Sequence, residues 1–153
     1  MPGDWELLAR VIVGFALGFV VGFEREVRGS PAGDRTFALI GGAATAVSAV
    51  VAHSSPQALA GVITGIGFIG AGVVVHAENA LVRGITTAAA IFATASMGVV
   101  VGTGHLALGT ATTALLLLAL EMRYLPGLRL LDGRRYNAGF IQDTDPPESL
   151  GGQ

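Results

Sequence analysis

The sequence predicts an all-α integral membrane protein, a bundle of about five transmembrane helices. The first observation is composition: 52% of the residues are hydrophobic and only 13% are charged, about half the charged share of an average soluble domain. The second is that the apolar residues form runs close to the roughly 20 residues that a helix needs to cross a bilayer. Because no water satisfies the backbone inside a bilayer, these runs are expected to be helical.

The apolar runs define one transmembrane domain, residues 1–122, followed by a tail, residues 123–153. The leader "MPGDWE" is acidic and no small-residue cleavage site follows the first run, so that run is expected to remain in the membrane rather than be removed as a signal peptide. The tail is polar, contains two adjacent prolines, and is predicted to be partly disordered. The predicted spans are Leu7–Phe23, Thr36–His53, Ala58–His76, Ile85–Gly102 and Thr103–Met122.

The placement of arginine predicts the orientation, because cytoplasmic loops carry the excess of basic residues. The first and third loops and the tail contain arginine, whereas the second and fourth loops do not. The N-terminus is therefore predicted outside and the C-terminus in the cytoplasm of a bacterial inner membrane. The basic residues behind this prediction are Arg25, Arg28, Arg35, Arg83, Arg123, Arg129, Arg134 and Arg135.

Rows of glycine at four-residue spacing lie on three of the predicted helices. Such rows let helix backbones approach closely, which is how packing drives helix association in lipid. Two interpretations stay open: tight packing inside one bundle, or a homodimer or small homo-oligomer with a glycine row at its interface. The rows are Gly14–Gly18–Gly22, Gly61–Gly65 and Gly98–Gly102.

The motif "GIGFIG" at residues 65–70 matches a dinucleotide-binding pattern but lies within a predicted membrane span. That fingerprint requires a preceding strand and an acidic residue about 20 positions later, where this chain has Ile85. Nucleotide binding is therefore excluded. The span is nearly free of side chains at Gly65, Gly67, Gly70 and Gly72, so either its neighbours pack very close or the helix is locally irregular around a cavity.

Charged residues are concentrated in the first loop, "GFEREVRGSPAGDRTF", residues 22–37. Arginines alone would set the orientation, since acidic residues contribute little to it. We expect Glu24 to pair with Arg28 one helical turn later, and Asp34 or Thr36 to cap the second span. The third loop also leads into a predicted helix whose start carries an arginine and hydroxyl groups, Arg83, Thr86 and Thr87. A polar functional cluster at the cytoplasmic face is therefore predicted from Glu24, Arg25, Arg28, Asp34, Arg35, Thr36, Arg83, Thr86 and Thr87; the alternative is a solvated loop of mutually screened charges.

Few other residues indicate a binding site or a catalytic role. Arg10 lies inside the first span, but Glu6 precedes it by one turn and a terminal arginine can reach the interface. His53 and His105 fall at the outer edge, where two histidines could sense pH or bind a metal. The chain has no cysteine, and it lacks the common motifs of hydrolases and metalloproteases, so an enzyme is not expected.

Three segments, "GFEREVRGSPAGDRTFALI", "GIGFIGAGVVV" and "VRGITTAAAIFATASMGVVVG", together resemble the signature blocks of the MgtC/SapB family of bacterial inner-membrane proteins. The likeness runs from the first helix to about Gly104. The tail is too short for the folded cytoplasmic domain that some members carry. Positions that match the family's characteristic residues are Gly22, Glu24, Arg25, Arg28, Gly33, Arg35, Thr36, Gly65, Gly67, Phe68, Gly70, Ala71, Gly72, Arg83, Gly84, Thr86, Thr87 and Ala88.

The resemblance implies a role in magnesium limitation or acid stress, and two hypotheses follow. In the first, the protein is a small regulator that oligomerises and binds other membrane proteins. In the second, it is a transporter or channel for Mg²⁺, another cation or protons. Magnesium sites usually use one or two carboxylates and retained waters, and the acids available near the inner side are Glu24, Glu26, Asp34 and Glu78. No acid lies deep in spans two to five, which favours the regulator; no cofactor is expected beyond Mg²⁺ as a ligand.

Overall fold

The computed structural model describes residues 3–52, 54–76, 82–122 and 124. This part of the chain confirms the all-α class and the five helices. Two strands of two residues each pair antiparallel, with Val75 opposite Arg83. In chain order the elements are α1 (Asp4–Val27), α2 (Asp34–Val51), α3 (Pro56–Val73), β1 (Val75–His76), β2 (Val82–Arg83), α4 (Ile85–Gly102) and α5 (Leu106–Glu121).

Three of these helices, α1, α2 and α4, are long and apolar enough to cross a membrane. The apolar stretches Gln57–Val73 in α3 and Leu106–Glu121 in α5 are shorter. A bundle of apolar helices is thus present, and the crossing of α3 and α5 belongs to the topology proposed below.

Most of the observed helices begin and end at residues other than those predicted from hydrophobicity, because turns and polar residues set the helix ends. The prediction for α4 coincides with the structure. Helix α1 is longer than predicted at both ends, with acids in its first turn and Arg25 in its last, which suits the helix dipole. Helix α3 ends at Val73, three residues before the predicted limit, because the chain there becomes β1. Helix α5 begins at Leu106, after a turn in which Gly104 has a φ of +97°.

Helix α2 is the centre of the bundle. It packs along α1 on one side and α4 on another. The largest side chains fully buried between these helices include Val21, Phe37, Ile91 and Met97. These contacts belong to a compact unit, Met1–Leu117; a second unit, Leu118–Gln153, is described only at 118–122 and 124. The polar tail predicted from residue 123 therefore lies, apart from Tyr124, outside the described residues.

The glycine row of α1 packs against α2 within the chain. A methyl group added at Gly18 would collide with the Phe37 carbonyl oxygen, and one at Gly22 would lie 2.6 Å from the Asp34 Cα. At Gly14 the obstacle is the Thr45 side chain. Of the two interpretations of this row, the structure supports packing inside one bundle, because α2 already covers all three glycines.

The second row, on α4, meets a different face of α2. A methyl group added at Gly98 would lie 2.6 Å from the Gly41 carbonyl oxygen, and one at Gly102 would collide with Ser48. Thr45 joins the helices at this level: its fully buried hydroxyl lies 2.7 Å from the Gly41 carbonyl oxygen and 3.0 Å from that of Gly98. Backbone-to-backbone contact on two faces therefore fixes α1, α2 and α4 as a core.

The glycines of α3 do not follow either expectation for the GIGFIG segment. The helix runs without interruption from Pro56 to Val73, so it is not locally irregular. A methyl group added at Gly65, Gly67 or Gly72 would meet no described atom within 4 Å, and only Gly70 has a neighbour, Ala88, at ordinary van der Waals distance. The expectation of very close neighbours was therefore wrong for this helix in the described structure.

Candidate functional site: a polar cluster at one end of the core

The polar residues of the first loop gather where α1 ends and α2 and α4 begin. The chain reverses direction within a few residues: the Gly29 N–H donates to the Glu26 carbonyl and the Ser30 N–H to that of Arg25, both at 2.9 Å. Gly29 adopts a φ of +71°, a conformation that glycine reaches without strain. The close approach of Gly22 to Asp34 then brings the start of α2 beside the end of α1.

Glu24 carries a largely buried carboxylate held between two arginines. Its side chain is 10% exposed; Arg25 Nη1 lies 3.8 Å from Oε2, and Arg28 Nε lies 3.7 Å from Oε1. The predicted one-turn pair with Arg28 is confirmed. The Arg25 Nε is buried and has no hydrogen-bond partner in the described part of the chain. Two guanidinium groups thus lie beside one largely buried carboxylate, with Arg25 mostly buried and Arg28 reaching solvent.

Asp34 and Arg35 lie apart from this buried pairing, around Glu26. Glu26 Oε2 accepts a hydrogen bond of 3.0 Å from the Asp34 N–H, and Asp34 Oδ1 accepts one of 2.5 Å from the Arg35 N–H. These hydrogen bonds link Asp34 and Arg35 to Glu26 and to each other. Capping by Asp34 or Thr36 is wrong: the N-cap of α2 is Gly33, and the carboxylate of Glu26 satisfies the first amide instead.

An open cleft of about 320 Å³ lies at this helix start, lined by Glu26, Gly33, Asp34, Arg35 and Thr36. Arg35 and Thr36 are exposed there, and Asp34 is half-buried. A side chain at Gly33 would displace the carboxylate of Glu26, which belongs to a flexible and exposed side chain. The cleft offers carboxylate oxygens, a guanidinium group and a hydroxyl to solvent.

The start of α4 contributes unequally to the cluster. The Thr87 hydroxyl, which is buried, lies 3.2 Å from the Ser30 hydroxyl and so ties α4 to the first loop. Arg83 and Thr86 are exposed. Gly84 turns the chain into α4 with a φ of +91° and lies against the Val73 carbonyl, so its role is a turn and a close approach.

Sequence reasoning missed Ser30 and the capping role of Glu26. Ser30 stands in a turn-forming segment, "RGSPAG", where a serine is ordinary and nothing indicates a partner 57 residues away. Glu26 was predicted only as an available acid. The first amides of a helix need hydrogen-bond acceptors. A carboxylate shortly before the start of α2 was therefore the signal that could have identified the role of Glu26.

The opposite end of the core is closed by Arg10. It forms the expected ion pair with Glu6, and its Nη1 also donates a 2.9 Å hydrogen bond to the Gly102 carbonyl at the end of α4. A cation at a helix C-terminus is favourable. His105 Nδ1 lies 3.2 Å from the Thr103 hydroxyl, whereas His53 is outside the described residues. Among the residues that the structure describes, no three His, Asp or Glu side chains come together as metal ligands.

The fold and site together define a small helical membrane protein whose core is packed through glycine and whose functional candidates lie at one polar end. The chain belongs to the MgtC family, whose model matches residues 11–125. That match extends beyond Gly104, where the resemblance of the sequence motifs ends.

Named relatives agree with this assignment. The chain is similar to "Protein MgtC" of Brucella abortus, with 37% identity over 135 residues, 85% of this chain and 56% of that protein. It is 36% identical to "Putative magnesium transporter YhiD" of Escherichia coli K12, over 83% of this chain and 65% of that protein. It is 35% identical to "Protein SrpB" of Synechococcus elongatus, over 78% of this chain and 76% of that protein. The chain thus spans little more than half the length of the Brucella relative. No solved structure matches.

Proposed function

We propose that this protein is a non-enzymatic regulator of other membrane proteins that acts in adaptation to magnesium limitation or acid stress. The observation that carries the proposal is the pairing of Glu24 with Arg25 and Arg28 at 3.8 Å and 3.7 Å. A divalent cation at that carboxylate would face two guanidinium charges, whose repulsion opposes its binding. The buried site is better suited to an anionic or polar group of a partner than to Mg²⁺.

Helix α3 supplies a surface on which a membrane partner, or a second copy of the chain, would pack. Its outward face exposes Gly67 and Ala71 one turn apart, with Phe68 standing 83% exposed beside them. Small residues permit close helix approach in lipid, and a protruding aromatic ring adds contact area. The glycines of α1 and α4 are not available for such contacts because α2 covers them.

The proposed orientation places the polar cluster at the cytoplasmic face of the inner membrane, the N-terminus outside and the C-terminus inside. Arg25, Arg28, Arg35 and Arg83 lie at the end where α1 ends and α2 and α4 begin, as the positive-inside rule requires. If all five helices cross the membrane, the arginines of the tail lie on the cytoplasmic side as well.

The alternative is transport of Mg²⁺ or another cation. It is favoured by the name of the Escherichia coli relative and by the cleft where Glu26 and Asp34 stand together. Two carboxylates with retained waters are the kind of ligand set that Mg²⁺ accepts.

Flux measurement separates the two functions. The purified protein would be reconstituted in liposomes with a Mg²⁺ gradient and an internal magnesium indicator, beside empty liposomes and a Glu26→Gln, Asp34→Asn double variant. The regulator predicts flux equal to that of empty liposomes. Flux that requires the two carboxylates of the cleft would establish the transporter instead.

A further inference from the structure

An apolar groove of about 430 Å³ runs between α2 and α3. On α2 it is lined by an exposed row at four-residue spacing, Leu39, Ala43 and Val47. On α3 its wall combines isoleucine and valine side chains with glycines. A methyl group added at Gly65, one of these glycines, would meet no described atom within 4 Å. The groove therefore has room for a hydrocarbon chain.

The groove is about as long as one leaflet of a bilayer is deep. From Leu39 to Val47 helix α2 rises about 12 Å, at 1.5 Å per residue, and half of a hydrocarbon core of about 30 Å is about 15 Å. Helix α2 is itself long and apolar enough to cross a membrane. An empty groove would forfeit van der Waals contacts, so in a bilayer an acyl chain fills it.

The same face of α2 becomes polar at the start of the helix. Arg35 and Thr36 precede the groove residues Leu39 and Ile40 by four positions each, and residues at that spacing are neighbours on a helix surface. Both polar residues are exposed and line the open cleft of about 320 Å³. The polar cleft and the apolar groove thus follow one another along one helix face, which is the arrangement that an amphiphile needs.

The cleft offers both signs of charge. Glu26 Oε2 and Asp34 Oδ1 each accept a backbone hydrogen bond, and a carboxylate has further acceptor sites on both oxygens. Within residues 3–52, 54–76, 82–122 and 124, the Arg35 guanidinium takes part in no ion pair. The cleft can therefore receive a cationic group at its carboxylates and an anionic group at Arg35 together.

We propose that the cleft and the groove form one binding site for a phospholipid with an ethanolamine headgroup. The ammonium group donates to the carboxylates of Glu26 and Asp34, and the phosphate accepts from Arg35 and Thr36. One acyl chain lies in the groove along the row that begins at Leu39. A choline headgroup has no N–H to donate, and a glycerol headgroup carries no cation, so the site prefers ethanolamine. The site uses other residues than the Glu24 pairing and stands independently of the proposed regulator.

Lipid binding to the full-length protein tests this proposal. The delipidated protein in detergent would be titrated with phosphatidylethanolamine, phosphatidylcholine or phosphatidylglycerol of identical acyl chains, and bound lipid would be counted by native mass spectrometry. The first ethanolamine lipid is expected to bind about tenfold more tightly than either of the others, the ratio that one charge-assisted hydrogen bond supplies. This comparison needs no variant, so a folding defect cannot produce it.

Two matched pairs of variants locate the site. Arg35→Gln should lose most of the ethanolamine preference and affinity, whereas Arg83→Gln, at an exposed arginine that does not line the cleft, should bind like the parent. Gly65→Leu fills the groove and should weaken binding of all three lipids. Gly67→Leu is its control, because that glycine also faces open space but does not line the groove.

Equal affinity for the ethanolamine and choline lipids would overturn the proposal and leave only unselective boundary lipid. Tighter binding of phosphatidylglycerol would overturn it as well, since the carboxylates would then have no part in recognition. Glycerophosphoethanolamine has the headgroup without acyl chains and should not displace the bound lipid at equal concentration. If it does, or if Gly65→Leu binds lipid as Gly67→Leu does, the groove is not part of the site.

Discussion

Single residues decide how closely the core helices pack. Gly18 lies on the backbone of Phe37, and Thr45 places one hydroxyl between the carbonyls of Gly41 and Gly98. Neither feature depends on hydrophobicity. The four-residue spacing of glycine was readable from the sequence, but the partner helix was not, because spacing reports a flat helix face without saying what covers it.

Gly18→Leu is expected to destabilise the protein by about 1–3 kcal/mol or more. That is the usual cost of overpacking a core, and here the obstructing atoms belong to the backbone and cannot move aside easily. Gly67→Leu is the matched control, since an added side chain there meets open space. Unfolding in a denaturing detergent titration measures the difference. Equal midpoints for the two variants would show that the α1 row is not a packing surface.

Thr45→Val is expected to cost about 0.6 kcal/mol, and at most about 1.7, the range measured for hydrogen bonds between membrane helices. The substitution keeps the shape and removes a hydroxyl that reaches a second helix. Thr64→Val is the control, because the exposed Thr64 hydroxyl bonds only the Ala60 carbonyl of its own helix. The same titration should separate them, and a Thr45→Val protein as stable as the control would contradict the three-helix junction.

At the scale of elements, the sequence predicted the five helices and the α4 bounds but not how the polar cluster divides. The pairing of Glu24 with Arg28 follows from a local one-turn spacing, so it was predictable. The separation of Asp34 and Arg35 from that pair depends on how far α1 continues before the chain turns, and hydrophobicity reports helix ends poorly. The contact of Ser30 with Thr87 joins distant segments and carries no local signal.

The outward face of α3 gives a prediction at this scale. Gly67→Leu should leave folding intact but weaken function, because it blocks close approach of a partner helix on the exposed face. Growth of a deletion strain under magnesium limitation measures function, and membrane abundance measures folding. A strain that grows as well with Gly67→Leu as with the parent would show that this face of α3 does not contact a partner.

At the scale of the whole molecule, a three-helix core carries a polar cluster at one end, and α3 packs mainly on α4. The orientation of this assembly is a proposal from arginine placement. Reporter domains fused after residue 153 should show cytoplasmic activity, and fusions after Ser54 should show external activity. A C-terminal reporter on the external side would contradict the five-crossing topology.

We propose that the largely buried carboxylate of Glu24, paired with Arg25 and Arg28, is the functional site. Complementation of the deletion strain under magnesium limitation tests it most directly, with Glu24→Gln compared with Asp4→Asn, an exposed acid at the opposite end of α1. We expect Glu24→Gln to abolish growth at normal membrane abundance and orientation, and Asp4→Asn to grow like the parent. Full growth with Glu24→Gln would contradict it and reduce the cluster to an orientation signal.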